Sequence, residues 1–319
     1  MIRCSKLLLG VVTTCCAVAV VSAHASQLVE SRIETKLLPS PVEFNVLLPE
    51  GYETLREPLP LLFFLHGGGG DRSFLTRMRA PIDEMWRAGT LPKMVVVTPS
   101  AGRSFYMDYK DGSQKWESFI VGPFLEHLRK NYKITRERRG TLLFGISMGG
   151  LGGLRLAFKY PDRFEAVAAL EPGIDPVLKW KDLTPRNRFW RADDFMQTIF
   201  GRPFDEAYWE ANNPASVCVA NADKIRASGL EIYIEAGDLD VFNLHEATEF
   251  MHRIMWDYKI PHEYHLVRGA DHVGRTIRPR TTEALEFLAR ILNPPPADPE
   301  ADALRRRLEP LKKAAEKKQ

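Results

Sequence analysis

One serine stands between two glycines where an apolar run ends, in Gly145-Ile-Ser147-Met-Gly149 after Thr141-Leu-Leu-Phe144. Small residues two positions either side of a serine suit a sharp strand-to-helix turn, because the strained backbone brings strand and helix too close for side chains. The preceding run has strand length, and Leu151 to Tyr160 carries helical spacing of apolar residues ahead of Pro161. A hydroxyl at the tip of such a turn is exposed, and a neighbouring base would make it a nucleophile.

That base needs an acid partner to fix its tautomer and stabilise its charged form. Of the histidines beyond Ser147, His245 and His252 fall inside a helical pattern, and His262 and His265 lie in or beside a strand. Only His272 occupies a glycine-flanked loop after the last strand, in Gly269-Ala-Asp-His-Val-Gly274, which makes it the candidate base. For the acid, Ala236-Gly-Asp-Leu-Asp240 offers two carboxylates after an apolar strand. The loop position favours Asp240 and leaves Asp238 as a turn residue, while Glu171, at the end of the strand before, is a third candidate. A tetrahedral intermediate would need two backbone donors. Met148 supplies one and the run His66-Gly67-Gly68-Gly69-Gly70 the other, through Gly68 with Gly69 as fallback. His66, at the head of that run, is a candidate substrate contact. A metal reading built on His262, His265, Asp271 and His272 has no recognised ligand spacing, so no metal or cofactor is expected.

Elements that could hold these residues alternate along the chain. Val42 to Leu48, Pro60 to Leu65, Lys93 to Thr98, Phe164 to Leu170, Glu231 to Glu235 and His262 to Val267 read as strands. Trp116 to Tyr132, Leu244 to Tyr258 and Thr282 to Leu292 read as helices. Apolar strands alternating with helices predict an α/β fold, a mostly parallel sheet covered on both faces, with ligands at the carboxyl ends of the strands. Residues 26–293 would form this domain. Within it, 171–228 is too long and too aromatic for a simple connection and reads as a cap, with Trp180 and Trp190 as candidate substrate contacts.

The ends differ in character. Arg3 and Lys6, the apolar stretch Leu7 to Val21 and Ala23-His24-Ala25 form a secretory signal pattern over residues 1–25, with cleavage expected after Ala25 and a secreted or periplasmic destination. Cleavage would leave Cys218 as the lone cysteine and exclude an intramolecular disulfide. Residues 294–319 open on Pro294-Pro-Pro296 and end basic, reading as a solvated linker and tail; contact with an anionic membrane surface is the alternative. Leader and tail hold the whole excess of the formal +3 charge, and the near-neutral remainder gives no electrostatic case for nucleic acid.

Taken in order, Leu65-His-Gly-Gly-Gly69, Trp116-Glu-Ser-Phe-Ile120 entering a helix that ends Lys130-Asn-Tyr132, Gly145-Ile-Ser-Met-Gly149, Gly237-Asp-Leu-Asp240 and Gly269-Ala-Asp-His272 resemble the esterase D-like family of the α/β-hydrolase fold. That group contains S-formylglutathione hydrolases, feruloyl and acetyl xylan esterases, and mycolyltransferases. The resemblance implies a serine carboxylesterase with Ser147 as nucleophile, Asp240 as acid, His272 as base, and Gly68 with Met148 as oxyanion hole. It also implies an aromatic segment near the pocket, Ser104-Phe-Tyr106, and adds Tyr106 to the candidate contacts. The expected substrate is a small-molecule or polysaccharide-linked ester met outside the cytoplasm. An acyltransferase with the same triad and a noncatalytic binding protein on this scaffold are the competing functions. The cap and the basic tail depart from the family pattern.

Overall fold

The structure is a computed structural model that describes residues 26–316; the expected leader and its cleavage site lie outside the described residues. Eight strands form one sheet: β1 (Gln27–Ile33), β2 (Val42–Leu48), β3 (Leu61–Leu65), β4 (Val95–Pro99), β5 (Thr141–Ile146), β6 (Ala166–Leu170), β7 (Glu231–Gly237) and β8 (Glu263–Val267). Their spatial order is β1-β2-β4-β3-β5-β6-β7-β8. The β1–β2 and β2–β4 pairs are antiparallel, and every pair from β4 to β8 is parallel.

The central strands β3 and β6 are apolar throughout because both faces are covered, whereas the edge strand β8 (Glu-Tyr-His-Leu-Val) is only partly buried. Along β3, Leu61, Phe63 and Leu65 enter one core layer, and Leu62 and Phe64 enter the other. Helices α1 (Ser73–Ala88) and α11 (Ile277–Leu292) cover the second layer. On the first lie α2 (Trp116–Phe119), α3 (Leu125–Asn131), α4 (Met148–Lys159) and α10 (Leu244–Asp257). The predicted helix from Trp116 to Tyr132 is interrupted between α2 and α3, where Gly122 leaves helical geometry (φ −111°, ψ −109°) just before Pro123.

Between β6 and β7 the chain builds five short helices: α5 (Pro185–Arg188), α6 (Asp193–Phe200), α7 (Glu206–Asn212), α8 (Pro214–Ala220) and α9 (Ala222–Ser228). This segment is pinned from below by Arg155 of α4, which is 1% exposed. Its guanidinium pairs with Glu117 of α2 and donates through Nε to Asn212 Oδ1 of α7 at 3.1 Å. Buried ions persist only when paired and hydrogen-bonded. Glu117 also meets Lys159 Nζ at 2.7 Å, so one carboxylate joins α2 and α4. Cys218, in α8, is free and buried, and burial pushes its thiol up to about 12. The tail forms α12 (Pro299–Glu316), an exposed helix that starts earlier than the basic run and leaves Leu304, Leu308 and Leu311 in solvent. Among the described residues no helix is long and apolar enough to cross a membrane.

Candidate active site

Five parallel strands deliver the candidate residues to one edge of the sheet: β3 leads to His66, β5 to Ser147, β6 to Glu171, β7 to Asp240 and β8 to His272. Ser147 sits at the turn between β5 and α4 with φ 55° and ψ −117°, a strained conformation for a residue with a side chain. The glycines make that turn possible. A Cβ at Gly145 would run into the Gly149 carbonyl, and one at Gly149 into the Leu65 carbonyl. The turn is tied at both ends, since the Ser147 amide donates to Leu170 O at 2.9 Å and its carbonyl accepts from the Gly173 amide at 2.8 Å.

His272 lies over the serine. Its Nε2 is 3.1 Å from Ser147 Oγ, and its Nδ1 is 2.8 Å from Asp240 Oδ2 in hydrogen-bond geometry. With Nδ1–H donating to the carboxylate, Nε2 is left to accept the serine proton. Asp240 is held by its other oxygen, which accepts from the Phe242 amide at 2.8 Å and the Leu244 amide at 3.3 Å. The Phe242 ring stands edge-on to the imidazole, with centroids 4.7 Å apart. Asp271 fastens the two loops together, its Oδ1 accepting from the amides of Val241 at 3.0 Å and His272 at 2.6 Å. Asp238 is a turn residue, accepting from the Gly269 amide at 2.6 Å and facing Arg268 at 3.2 Å rather than His272.

Glu171 also reaches the imidazole, with Oε2 3.0 Å from Nδ1. Its other oxygen pairs with Arg280 of α11, which in turn holds Glu235 of β7 through two bonds of 2.8 Å. Burial pushes the His272 pKa down, but the carboxylates of Asp240 and Glu171 outweigh it and raise it to about 9. Burial raises Glu235 to about 7 despite Arg280. Among the described residues, Glu171, Asp240 and His272 form the one group whose donor atoms lie close enough to grip an ion, within 4.8 Å of one another. The Nδ1 proton serves Asp240, and Arg280 sits as a counter-charge beside Glu171, so the set reads as a charge network. His262 turns away to His252 and Ile260, and His265 to Glu263 and Glu283.

On the oxyanion side, Met148 is the first residue of α4, so its amide has no partner within the helix. A Cβ at Gly67 would stand 3.4 Å from Ser147 Cβ, whereas one at Gly68 would meet nothing within 4 Å. Gly67 is thus against the serine and Gly68 faces open space.

Two expected substrate contacts prove to be supports. His66 and Tyr106 are fully buried and cannot touch a bound ester. The Ala101 amide donates to His66 Nε2 at 3.0 Å, which fixes the proton on Nδ1, and Nδ1 donates to Gly67 O at 2.8 Å. Tyr106 donates to His66 O at 3.0 Å. Burial keeps the His66 imidazole below its ordinary pKa, in line with a neutral clamp on the glycine loop. Trp180 packs with Phe204 (centroids 4.3 Å apart) and Trp209 (5.3 Å), and the 250 Å³ cavity beside it contains none of the residues around Ser147. Trp190 does adjoin the site, lying 5.5 Å from the Phe242 ring that borders His272. Arg191 fastens that tryptophan to the elbow: it covers the Trp190 ring at 4.1 Å, donates to Gly173 O at 2.8 Å and pairs with buried Asp175 at 3.0 Å. Sequence reasoning missed Arg191, Phe242 and Arg280, and nothing in the chain sets these positions apart before folding.

Comparison with known proteins places this arrangement in a family. Residues 35–284 match the model described as "Putative esterase", and the chain belongs to that family. It is 31% identical over 253 residues to esterase Rv1288 of Mycobacterium tuberculosis, covering 72% of this chain and 52% of the relative. It is 28% identical over 152 residues to the diacylglycerol acyltransferase/mycolyltransferase Ag85A of Mycobacterium leprae, covering 45% of this chain and 44% of the other. The chain thus spans about half the length of these curated relatives. Among solved structures, a ferulic acid esterase superposes with a TM-score of 0.69 at 23% identity, covering 85% of this chain and all of the other, a likeness of fold.

Proposed function

We propose that this protein is a serine carboxylesterase that forms and hydrolyses an acyl-enzyme on Ser147, with His272 as base and Asp240 as its acid partner. One observation carries the reading: the unbroken line from Ser147 Oγ through the His272 ring to Asp240, at 3.1 and 2.8 Å, on a strained turn. As Ser147 Oγ attacks the ester carbonyl, its proton passes to His272 Nε2. The imidazolium is held by Asp240, and the new oxyanion turns to the amides of Met148 and Gly68. Collapse returns the proton to the leaving alcohol. Water then repeats the sequence and frees the acid.

The substrates are esters met outside the cytoplasm, such as acylated sugars, hydroxycinnamoyl esters or short-chain esters. The signal pattern in residues 1–25 and the likeness to a ferulic acid esterase support this class. Release of p-nitrophenol from acetate, butyrate and longer esters, alongside methyl ferulate hydrolysis, tests the reading. The wild type is expected to turn over at least one of them and Ser147→Ala none. Equal rates for the two would refute it. The similarity to Ag85A favours a second reading, acyl transfer through the same residues; free acid as the sole product under excess sugar acceptor would exclude it for that acceptor.

A further inference from the structure

We infer that Glu171 is a second carboxylate for His272, standing beside Asp240 at the same ring nitrogen and taking over the Nδ1 proton when Asp240 is neutralised. The inference rests on the Ser147–His272–Asp240 reading above and deepens it. Nδ1 carries one proton, and it points at Asp240; Glu171 Oε2 waits 3.0 Å away, off that line. Both carboxylates are fully enclosed.

Three features argue that Glu171 serves His272 rather than the fold alone. A buried carboxylate costs several kcal/mol unless compensated. Arg280 compensates it, yet Arg280 also has a two-pronged partner in Glu235, so Glu171 is not its sole acceptor. Glu171 also has φ 42°, a region glycine enters freely and other residues enter at a cost of about 1–2 kcal/mol. The chain keeps a glutamate side chain there, directly before Pro172, with its amide anchored to Glu235 O at 2.8 Å. Finally, the charges are unbalanced. Asp240 faces the ring from the loop after β7 and Glu171 from the loop after β6, while Asp271 spends one oxygen on two backbone amides. Behind them stand Arg280 of α11 and Glu235 of β7. Carboxylates outnumber the guanidinium, and the excess is relieved when the imidazole becomes a cation, which is the state formed as Ser147 attacks.

Glu171→Gln, Asp240→Asn and the double variant test this in two ways. In a Ser147→Ala background, the ring-proton resonances of His272 report its pKa whether or not the protein turns over any ester. Glu171→Gln is expected to lower that pKa, and Asp240→Asn to leave it above 6.5 because Glu171 persists. In the active background, at a pH above 9 where the His272 ring is neutral in every variant, the double variant is expected to lose at least about tenfold more kcat/KM than the product of the two single losses, because each carboxylate covers for the loss of the other. An unshifted His272 titration in Glu171→Gln would overturn the inference, as would a double variant no worse than that product. Should Glu171→Gln not fold, Asp240→Asn alone decides: a His272 pKa at or below 6.5 refutes a second carboxylate. Absence of Ser147-dependent turnover in the wild type would defeat the esterase reading, while the resonance titration would still judge Glu171.

Discussion

Raising the pH from 7 to 9 should increase turnover steeply while weakening one contribution to stability. His272 can accept the serine proton only when Nε2 is unprotonated. Burial alone would keep it so, but Asp240 and Glu171 prevail and lift the pKa to about 9. At pH 7 that leaves about one molecule in a hundred with a neutral ring, since each pKa unit is a factor of ten. The ratio kcat/KM should therefore climb about tenfold per pH unit from 7 and level off above 9. Stability moves the opposite way. A histidine whose folded pKa exceeds its ordinary 6.5 contributes stability that is complete below 6.5 and lost as pH rises through about 9, here ~3 kcal/mol in all. Glu235 adds an earlier loss: its carboxyl, raised to about 7, favours the folded state when protonated, so its contribution fades between 4.5 and 7. The assay is kcat/KM for p-nitrophenyl butyrate between pH 6 and 10, with thermal unfolding of Ser147→Ala over the same range. An apparent pKa at or below 6.5 would refute the charge balance described around His272.

Two further outcomes follow from the packing. Arg155→Met should lower the unfolding free energy by about 3 kcal/mol, because Glu117 stays buried with only Lys159 and Tyr160 as partners; an unchanged Tm would contradict the anchoring of α7 by Arg155. Trp190→Ala should alter KM and the ranking of esters, whereas Trp180→Ala should lower Tm and leave that ranking intact; a steady-state comparison across the ester series separates the two.

Legibility in the sequence followed the physics of burial. β3 and β6 lie in the middle of a sheet covered on both faces, so their sequences are unbroken apolar runs with sharp ends, and β5 between them departs only at Thr141 and Gly145. β1, an edge strand with mixed exposure, reads Gln27-Leu-Val-Glu-Ser-Arg-Ile33 and was not foreseen. Nor was α1, whose polar outer face and internal Pro81 dilute the helical pattern. At the candidate site, loop position and glycine context single out Ser147, His272 and Asp240, which the structure brings into one hydrogen-bonded line. His66 was mistaken for a ligand contact because adjacency in sequence to the glycine loop says nothing of which way a ring turns, and this one turns into the core. Trp180 and Trp190 looked alike as aromatic residues of one insertion; only folding shows that one packs with Phe204 and Trp209 and the other reaches Phe242. Arg280 lies in a helix more than a hundred residues from Glu171, and a buried three-way charge contact leaves no periodic trace in a single chain.

The central claim, that Ser147 is activated by His272 and Asp240, is tested most directly by covalent labelling with an alkyl fluorophosphonate followed by peptide mapping. The account predicts one adduct, on Ser147, absent in Ser147→Ala and formed far more slowly in His272→Ala. No adduct on the folded wild type, or an adduct on another residue, would contradict it.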